Sequence, residues 1–299
     1  MSIKLYNLTT SKDMLEHVPA ESFMRFLYGN PMGSLSVWAL FKRAFFTAIC
    51  GAWANSSASA RAIVPFVKNN AIDVSEAALD ISAYKTFNKF FTRRLRVGAR
   101  PVSEPENARA ISFPSDGRHL LISDVSSSTT FYAKGSKFDL ASFLGDSALA
   151  RSFEGCDMLI SRLAPVDYHR FHFPLSGKIA ARRKIKGWLY SVSPIALSRR
   201  LSILWQNRRV LNVVENPDFG FYAFAEIGAT NVGGIVNTRR VGESVARGDE
   251  AGFFNFGGSC LITVFPKRKI EWNLDLLEAS SRGVECYALA GMKAGEFAE

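Results

Sequence analysis

Three short stretches hold residue types suited to acid–base and acyl chemistry. Phe113-Pro-Ser-Asp-Gly117 offers Asp116 in a turn. Arg162-Leu-Ala-Pro-Val-Asp-Tyr-His-Arg-Phe-His-Phe-Pro174 holds His169 and His172, two of the chain's four histidines. Phe254-Asn-Phe-Gly-Gly-Ser-Cys260 presents Ser259 behind two glycines. An aspartate, a histidine and a serine are the parts of an activated nucleophile with its base and orienting acid. Any chain of this length contains those types, so a plainer alternative stays open: one core histidine, one surface histidine and a glycine turn. His169 and His172 are three residues apart, and in an extended stretch that spacing sends them to opposite faces, which suits two different roles. Glycines before a serine mark a turn or bulge, or a backbone strained enough for the hydroxyl to attack the preceding carbonyl. The G-x-S-x-G elbow of α/β hydrolases is absent, because Leu261 stands two residues after Ser259.

Elements of two textures must position these groups. After Pro101, short runs at 119–122, 156–160, 221–227 and 260–265 are bounded by Gly, Pro, Ser, Asp or Asn, which predicts strands of a compact, mainly-β unit. Gly242, Gly248 and Gly252 have the spacing of tight hairpin turns. Residues 1–100 read as helical. Val37, Phe41, Ala44, Phe45, Ala48, Ala52 and Trp53 recur at three- and four-residue steps and line one helical face. That stripe is either a core face or a face lying in a membrane interface, with Lys42 and Arg43 reaching the head groups. The expected architecture is α+β, with 1–100 as an N-terminal helical, membrane-associating region. Residues 101–299 form a mainly antiparallel β catalytic domain with barrel-sandwich-like hairpins.

Composition narrows the classes. The 299 residues are 47% hydrophobic, enough for a sizeable core and unlike a disordered chain. Lys and Arg number 37 against 27 Asp and Glu, a formal charge of +10 that favours an anionic partner, nucleic acid or acidic lipid. Residues 178–209 hold nine Lys or Arg and no acid, interleaved with Trp188, Leu189, Tyr190, Ile195, Leu197, Leu201, Ile203, Leu204 and Trp205. That mixture suits an anionic lipid surface, stacking on single-stranded nucleic acid, or a solvated face over a partly buried strand pair. The four cysteines form no C-x-x-C pair, which predicts reduced, mostly buried thiols and no zinc site. No signal peptide is evident at the N-terminus. The nearest candidate span, 34–54, is broken by Lys42 and Arg43, whereas the hydrocarbon core needs about 20 apolar residues. Any membrane attachment is therefore expected to be peripheral.

Further motifs flank the three stretches. Phe87-Asn-Lys-Phe-Phe-Thr-Arg-Arg-Leu95 is followed by Gly98-Ala-Arg-Pro101, then Pro114-Ser-Asp-Gly117 and Leu163-Ala-Pro-Val-Asp-Tyr-His-Arg-Phe-His172. Gly187-Trp-Leu-Tyr-Ser-Val-Ser-Pro194, Gly228-Ala-Thr-Asn-Val-Gly-Gly-Ile235 and Phe256-Gly-Gly-Ser259 complete the series. In this order they resemble the phosphatidylserine decarboxylase family from about Tyr84 onward, the Leu163–His172 stretch being the most specific match. Cys260 stands where that family usually has Thr or Ser, Ser115 where it has Ala, and Gly234 where Ser is common. None of these departures removes an expected catalytic group.

The resemblance implies a proenzyme cut between Gly258 and Ser259 into a β chain, 1–258, and an α chain, 259–299. It implies a self-cleavage triad in which His172 takes the Ser259 hydroxyl proton and Asp116 fixes the imidazole tautomer. Elimination then leaves dehydroalanine at 259, and its hydrolysis gives a covalent pyruvoyl group and ammonia, with no external cofactor and no metal. That group would form a Schiff base with the amine of phosphatidylserine and accept electrons as CO2 leaves, and His169 would protonate the carbanion. The implied partner is an anionic membrane surface, not nucleic acid, at the cytoplasmic face of the cell membrane. The implied assembly is the heterodimer of the two chains, or a dimer of it. Two other functions compete. One is a membrane-associated serine hydrolase using Ser259, His172 and Asp116 without self-cleavage; the other is a non-enzymatic binder of nucleic acid or acidic lipid through 178–209.

Overall fold

A computed structural model describes residues 3–16, 18, 21–125, 138–229, 234–257, 259–267 and 270–298. Apolar runs between turn residues form strands, as their patterning predicts. In chain order these are β1 (Ile3–Asn7), β2 (Lys12–Glu16), β3 (Ala110–Ser112), β4 (Gly117–Val125), β5 (Cys156–Leu163), β6 (Arg170–His172), β7 (Gly177–Ile185) and β8 (Arg209–Asn216). They continue as β9 (Gly220–Gly228), β10 (Ile235–Asn237), β11 (Ser244–Val245), β12 (Glu250–Phe254), β13 (Ser259–Phe265), β14 (Ile270–Trp272), β15 (Glu285–Ala288) and β16 (Lys293–Phe297). Among the described residues, ten make one sheet in the order β11-β7-β8-β9-β13-β5-β4-β15-β1-β2, and the rest make two small sheets, β10-β12-β6 and β14-β16-β3. The pairs are antiparallel except β1 with β15, so the architecture is α+β with a large, mainly antiparallel sheet.

The topology makes a corner that matters. β13 is buried along its whole length between β9 and β5, with Ser259 opposite both Gly228 and Leu163. β5 then leads through 164–169 into β6, while β12 leads through 255–258 into β13, and β6 pairs with β12 in a small sheet. Two paired strands therefore leave one sheet for another at the same place, as strands do at sandwich corners. Gly117, the first residue of β4, closes the corner from the side. A Cβ there would come within 2.5 Å of the Arg162 carbonyl oxygen, so only glycine lets β4 approach β5 so closely.

Residues 1–100 are not helical throughout. β1 and β2 form a hairpin on the far edge of the large sheet, β1 lying parallel to β15. Two five-residue strands are too short for periodicity to reveal, and their partner lies at the other end of the sequence. Glu16 of β2 holds Arg162 through two hydrogen bonds (2.9 and 2.7 Å) and pairs with Arg118 at 3.1 Å. The helices follow: α1 (Glu21–Gly29), α2 (Pro31–Ser36) running into a π turn over Val37–Phe41, α3 (Ala44–Asn55), α4 (Ile63–Asn69) and α5 (Phe87–Phe91). Asn30 caps α2 by accepting from Met32 N, and Pro31 takes the first helical position, where its missing N–H costs nothing. Phe45, Ala48, Ala52 and Trp53 of the apolar stripe are exposed while Val37 is buried, so the stripe is not a core face. Among the described residues no single helix is long and apolar enough to cross a membrane. Pro31–Leu40 and Phe45–Asn55, bent by 77°, pass that test only together.

Candidate active site

Ser259 opens β13 with no solvent exposure, and its Oγ lies 3.2 Å from His169 Nδ1. Non-local pairing sets that distance. The His169 carbonyl accepts from Phe254 N (3.0 Å) at the end of β12, and five residues later the chain has crossed to Ser259. The turn leading to His169 is closed by the Asp167 carboxylate, which accepts from Ala164 N (2.6 Å) and from Arg118. Phe91 of α5 stacks on the imidazole with ring centroids 3.8 Å apart and planes 18° from parallel. Burial, with the Arg93 charge added, pushes the His169 pKa down to about 3, so the ring is neutral at any physiological pH.

His172 and Asp116 take places other than those the resemblance implies. No hydrogen bond joins His172 to Ser259 among the described residues; the histidine in contact with the serine is His169. His172 Nδ1 instead faces the Gly248 carbonyl oxygen at 2.9 Å. A carbonyl only accepts, so Nδ1 carries the proton and Nε2, which has no partner, keeps its basic lone pair. Gly248 rather than Asp116 thus sets the tautomer. Both Asp116 oxygens receive Arg100 (2.6–3.0 Å), Oδ1 also accepts Ala290 N (2.9 Å), and Arg100 is held from its other side by Glu76. Asp116 acts on His172 through space. Burial lowers the His172 pKa, and the Glu250 and Asp116 charges pull it partly back up.

Gly258 lies outside the described residues, as do residues 230–233 of the Gly228–Ile235 stretch. The residues just before Gly258 are held tightly. Asn88 of α5 accepts from Phe256 N (2.8 Å) and donates to Asn255 Oδ1 (3.0 Å) and Asn55 Oδ1 (2.9 Å). The Phe256 ring meets Phe87 and Phe91 edge-on at 5.1 and 5.3 Å. Gly257 has φ +141°, a backbone state that side chains rarely permit. Cys260 points to the opposite face of β13 and is fully buried, and burial raises its thiol to about 12. It is a core residue and a poor nucleophile. Among the described residues no three His, Cys, Asp or Glu side chains gather as a metal site would require.

A family model described as phosphatidylserine decarboxylase matches residues 87–286. The chain belongs to this family. A relative from Fusobacterium nucleatum, named phosphatidylserine decarboxylase proenzyme, is 40% identical over 96% of this chain and 95% of its own. Relatives of the same name from Ruminiclostridium cellulolyticum and Chlamydia trachomatis are 36% and 35% identical, covering 98% and 97% of this chain and 97% and 96% of their own. Within a phosphatidylserine decarboxylase, then, Ser259 and His169 meet at the corner, and His172 and Asp116 stand behind them. Asn88, Phe91 and Arg100 were visible only as letters inside motifs. Their spatial partners give them work: Asn88 holds the 255–256 backbone, Phe91 faces His169, and Arg100 occupies Asp116. Gly248 stood out only as a turn glycine; its contribution to the site, a backbone carbonyl on His172, has no residue-type signal.

Proposed function

We propose that the chain is a self-processing, pyruvoyl-dependent enzyme that converts phosphatidylserine to phosphatidylethanolamine and CO2 at a membrane surface. The observation that carries this reading is the buried contact of His169 with Ser259, the first residue of a central strand, immediately after a glycine pair. As the resemblance implies, His172, with Nε2 unprotonated, is the base for the Ser259 hydroxyl proton. Among the described residues it makes no hydrogen bond to Ser259, so the serine must first turn from His169 toward it. The alkoxide attacks the Gly258 carbonyl, the amide becomes an ester, and elimination releases 1–258 and leaves dehydroalanine at 259, which water hydrolyses to the pyruvoyl group and ammonia. Asn88 keeps the 255–256 backbone in place while this happens. The two chains have reason to stay together: β13 is paired on both sides, β15 lies between β4 and β1, and β16 pairs with β3.

The site fits a pyruvoyl group made from Ser259: residue 259 has no solvent exposure and is faced by the neutral imidazole of His169, whose Nδ1 meets Ser259 and whose Nε2 has no partner. In place, that group supplies a carbonyl for the lipid amine and a sink for the electrons that CO2 leaves behind. His169 is the proton donor at residue 259 during turnover. Met32, Leu35, Trp38, Phe45, Ile49 and Trp53 form the face that meets lipid, peripherally and at the cytoplasmic side of the cell membrane. Lys42 does not reach toward head groups as its place in the sequence suggested: it is buried, its Nζ donating to the Tyr190 hydroxyl (3.3 Å) and lying 4.0 Å from the Trp188 ring.

Denaturing intact-mass analysis tests the scheme. Wild type is expected as two chains, the shorter reacting with hydrazines, and Ser259→Ala as one uncut chain. His172→Ala should stay uncut, whereas His169→Ala should be cut but form no phosphatidylethanolamine. The reverse pair of outcomes would give cutting to His169. A single wild-type chain labelled at Ser259 by serine-directed reagents would make the protein a hydrolase instead.

A further inference from the structure

We infer that Arg93, with the Tyr84 hydroxyl beside it, holds the phosphodiester of the substrate head group. The inference rests on the proposed substrate and adds the residues that grip it. Arg93 is 6% exposed and Tyr84 8%, so both are more than nine-tenths buried. Arg93 Nε and Tyr84 Oη have no hydrogen-bond partner. The one polar contact of the guanidinium among the described residues is a long one, Nη2 to the Val166 carbonyl oxygen at 3.5 Å. The two side chains share a neighbour: the guanidinium carbon lies 4.9 Å from the Phe90 ring, and Tyr84 meets that ring edge-on at 5.6 Å.

The nearby acids are already committed. Asp116 is taken by Arg100 and Asp167 by Arg118. A buried arginine without a carboxylate is unfavourable unless an anion arrives to meet it. Its place is next to the chemistry. Phe91, two residues earlier, stacks on His169, and Arg170, the residue after His169, donates to the carbonyls of Thr92 (2.9 and 3.1 Å) and Arg93 (3.4 Å). Arg93 is also among the charges that depress His169.

The substrate offers a carboxylate and a phosphodiester, and the chemistry selects between them. A cation on the carboxylate would stabilise the ground state most, just where charge must leave with CO2, and would oppose the reaction. A cation on the phosphodiester binds substrate and transition state alike, and guanidinium geometry suits phosphate oxygens.

The test uses the full chain with Arg93→Gln, Arg93→Lys and Tyr84→Phe, each first shown to be cut. Arg93→Gln should raise KM for phosphatidylserine in mixed micelles about tenfold or more while kcat stays within about threefold. Arg93→Lys should fall between it and wild type, and Tyr84→Phe should raise KM about threefold. Should Arg93→Gln fail to fold, Tyr84→Phe carries the same comparison. Glycerophosphoglycerol, a phosphodiester with neither amine nor carboxylate, should inhibit wild type and lose that inhibition in Arg93→Gln. N-acetylserine, a carboxylate without phosphate, should inhibit both alike. A fall in kcat at constant KM, an uncut but folded Arg93→Gln chain, or selective loss of N-acetylserine inhibition would each overturn the inference. A wild type that binds glycerophosphoglycerol through Arg93 by calorimetry yet leaves phosphatidylserine untouched would instead sink the proposed substrate.

Discussion

Residues 31–55 and 178–209 look alike in sequence, each mixing cations with tryptophans and bulky apolar side chains, yet they face opposite ways. In the first, Phe45 is 71% exposed, and Met32, Leu35, Trp38, Ile49 and Trp53 are exposed with it. In the second, Leu189, Tyr190, Ile195, Ile203 and Leu204 are buried. Two of its nine cations also turn inward, while Lys178, Arg183, Lys184, Lys186, Arg199, Arg200 and Arg208 stay exposed. Arg209 is 1% exposed and donates to the carbonyls of Phe143 (2.7 Å), Trp205 (2.9 Å), Asn207 (2.8 Å) and Ser142, while Arg182 donates to Asn212 (2.6 Å) and the Arg239 carbonyl (2.7 Å). Composition describes what a surface is made of. Which way that surface faces depends on what packs over it: α1 packs against Pro194–Arg199 and Leu140–Leu144 against Ile203–Gln206, while Met32, Phe45 and Ile49 stay bare.

The sharpest way to break this contrast is Arg209→Ala. Four carbonyls would lose their donor in a dry site, so a loss of about 4 kcal/mol is expected in urea unfolding. A cost under about 1 kcal/mol would return the second region to the surface. The next effect comes from Glu226, which lies among Asn212 (2.8 Å), Asn237 (2.9 Å) and the charge of Arg182. Burial raises its carboxyl from 4.5 to about 8, so between those values the folded chain holds a proton that the unfolded chain has released. Stability should therefore fall as pH rises from about 4.5 to about 8, by roughly 4 kcal/mol, and Glu226→Gln should flatten that slope in thermal melts. An unchanged slope would move the titration elsewhere.

Smaller effects address the lipid face. Phe45→Glu with Ile49→Glu should weaken binding to anionic vesicles at least about tenfold, roughly 1.4 kcal/mol, while Tm stays put. A lower Tm with unchanged vesicle binding would make α3 a core helix. Smallest of all is the triple change Lys178→Gln, Lys184→Gln and Lys186→Gln, expected to cost less than about threefold in the same sedimentation assay. Three cations at an anionic surface would contribute about 3 kcal/mol together, so a hundredfold loss would join the two regions into one lipid face.

The site was legible in its parts and not in its pairings. Asp116, His169, His172 and Ser259 could be picked out as residue types, and the spacing of the histidines predicted two directions, which Ser259 and Gly248 now occupy. The mainly antiparallel sheet after residue 101 was equally plain from short apolar runs. Hidden were the strands at 3–16, the Arg100 grip on Asp116 and the Gly248 carbonyl on His172. The hairpin at 3–16 pairs with β15 at the other end of the chain, and the other two are side-chain contacts outside any repeating element, so none leaves a periodic trace.

The sequence by itself determined that a serine behind two glycines, two histidines and an aspartate lie in a β-rich chain with surplus cations and buried, unpaired thiols. These follow from residue chemistry and short-range patterning. Only the tertiary structure decided that His169 faces Ser259, that Asp116 is spoken for, that Arg93 is buried without an acid, and which of two similar basic-aromatic regions is bare. The physical reason is register: β13 meets β5 and β9 at fixed partners, both crossings pass one corner, and a side chain's neighbours there come from strands and helices far away along the chain.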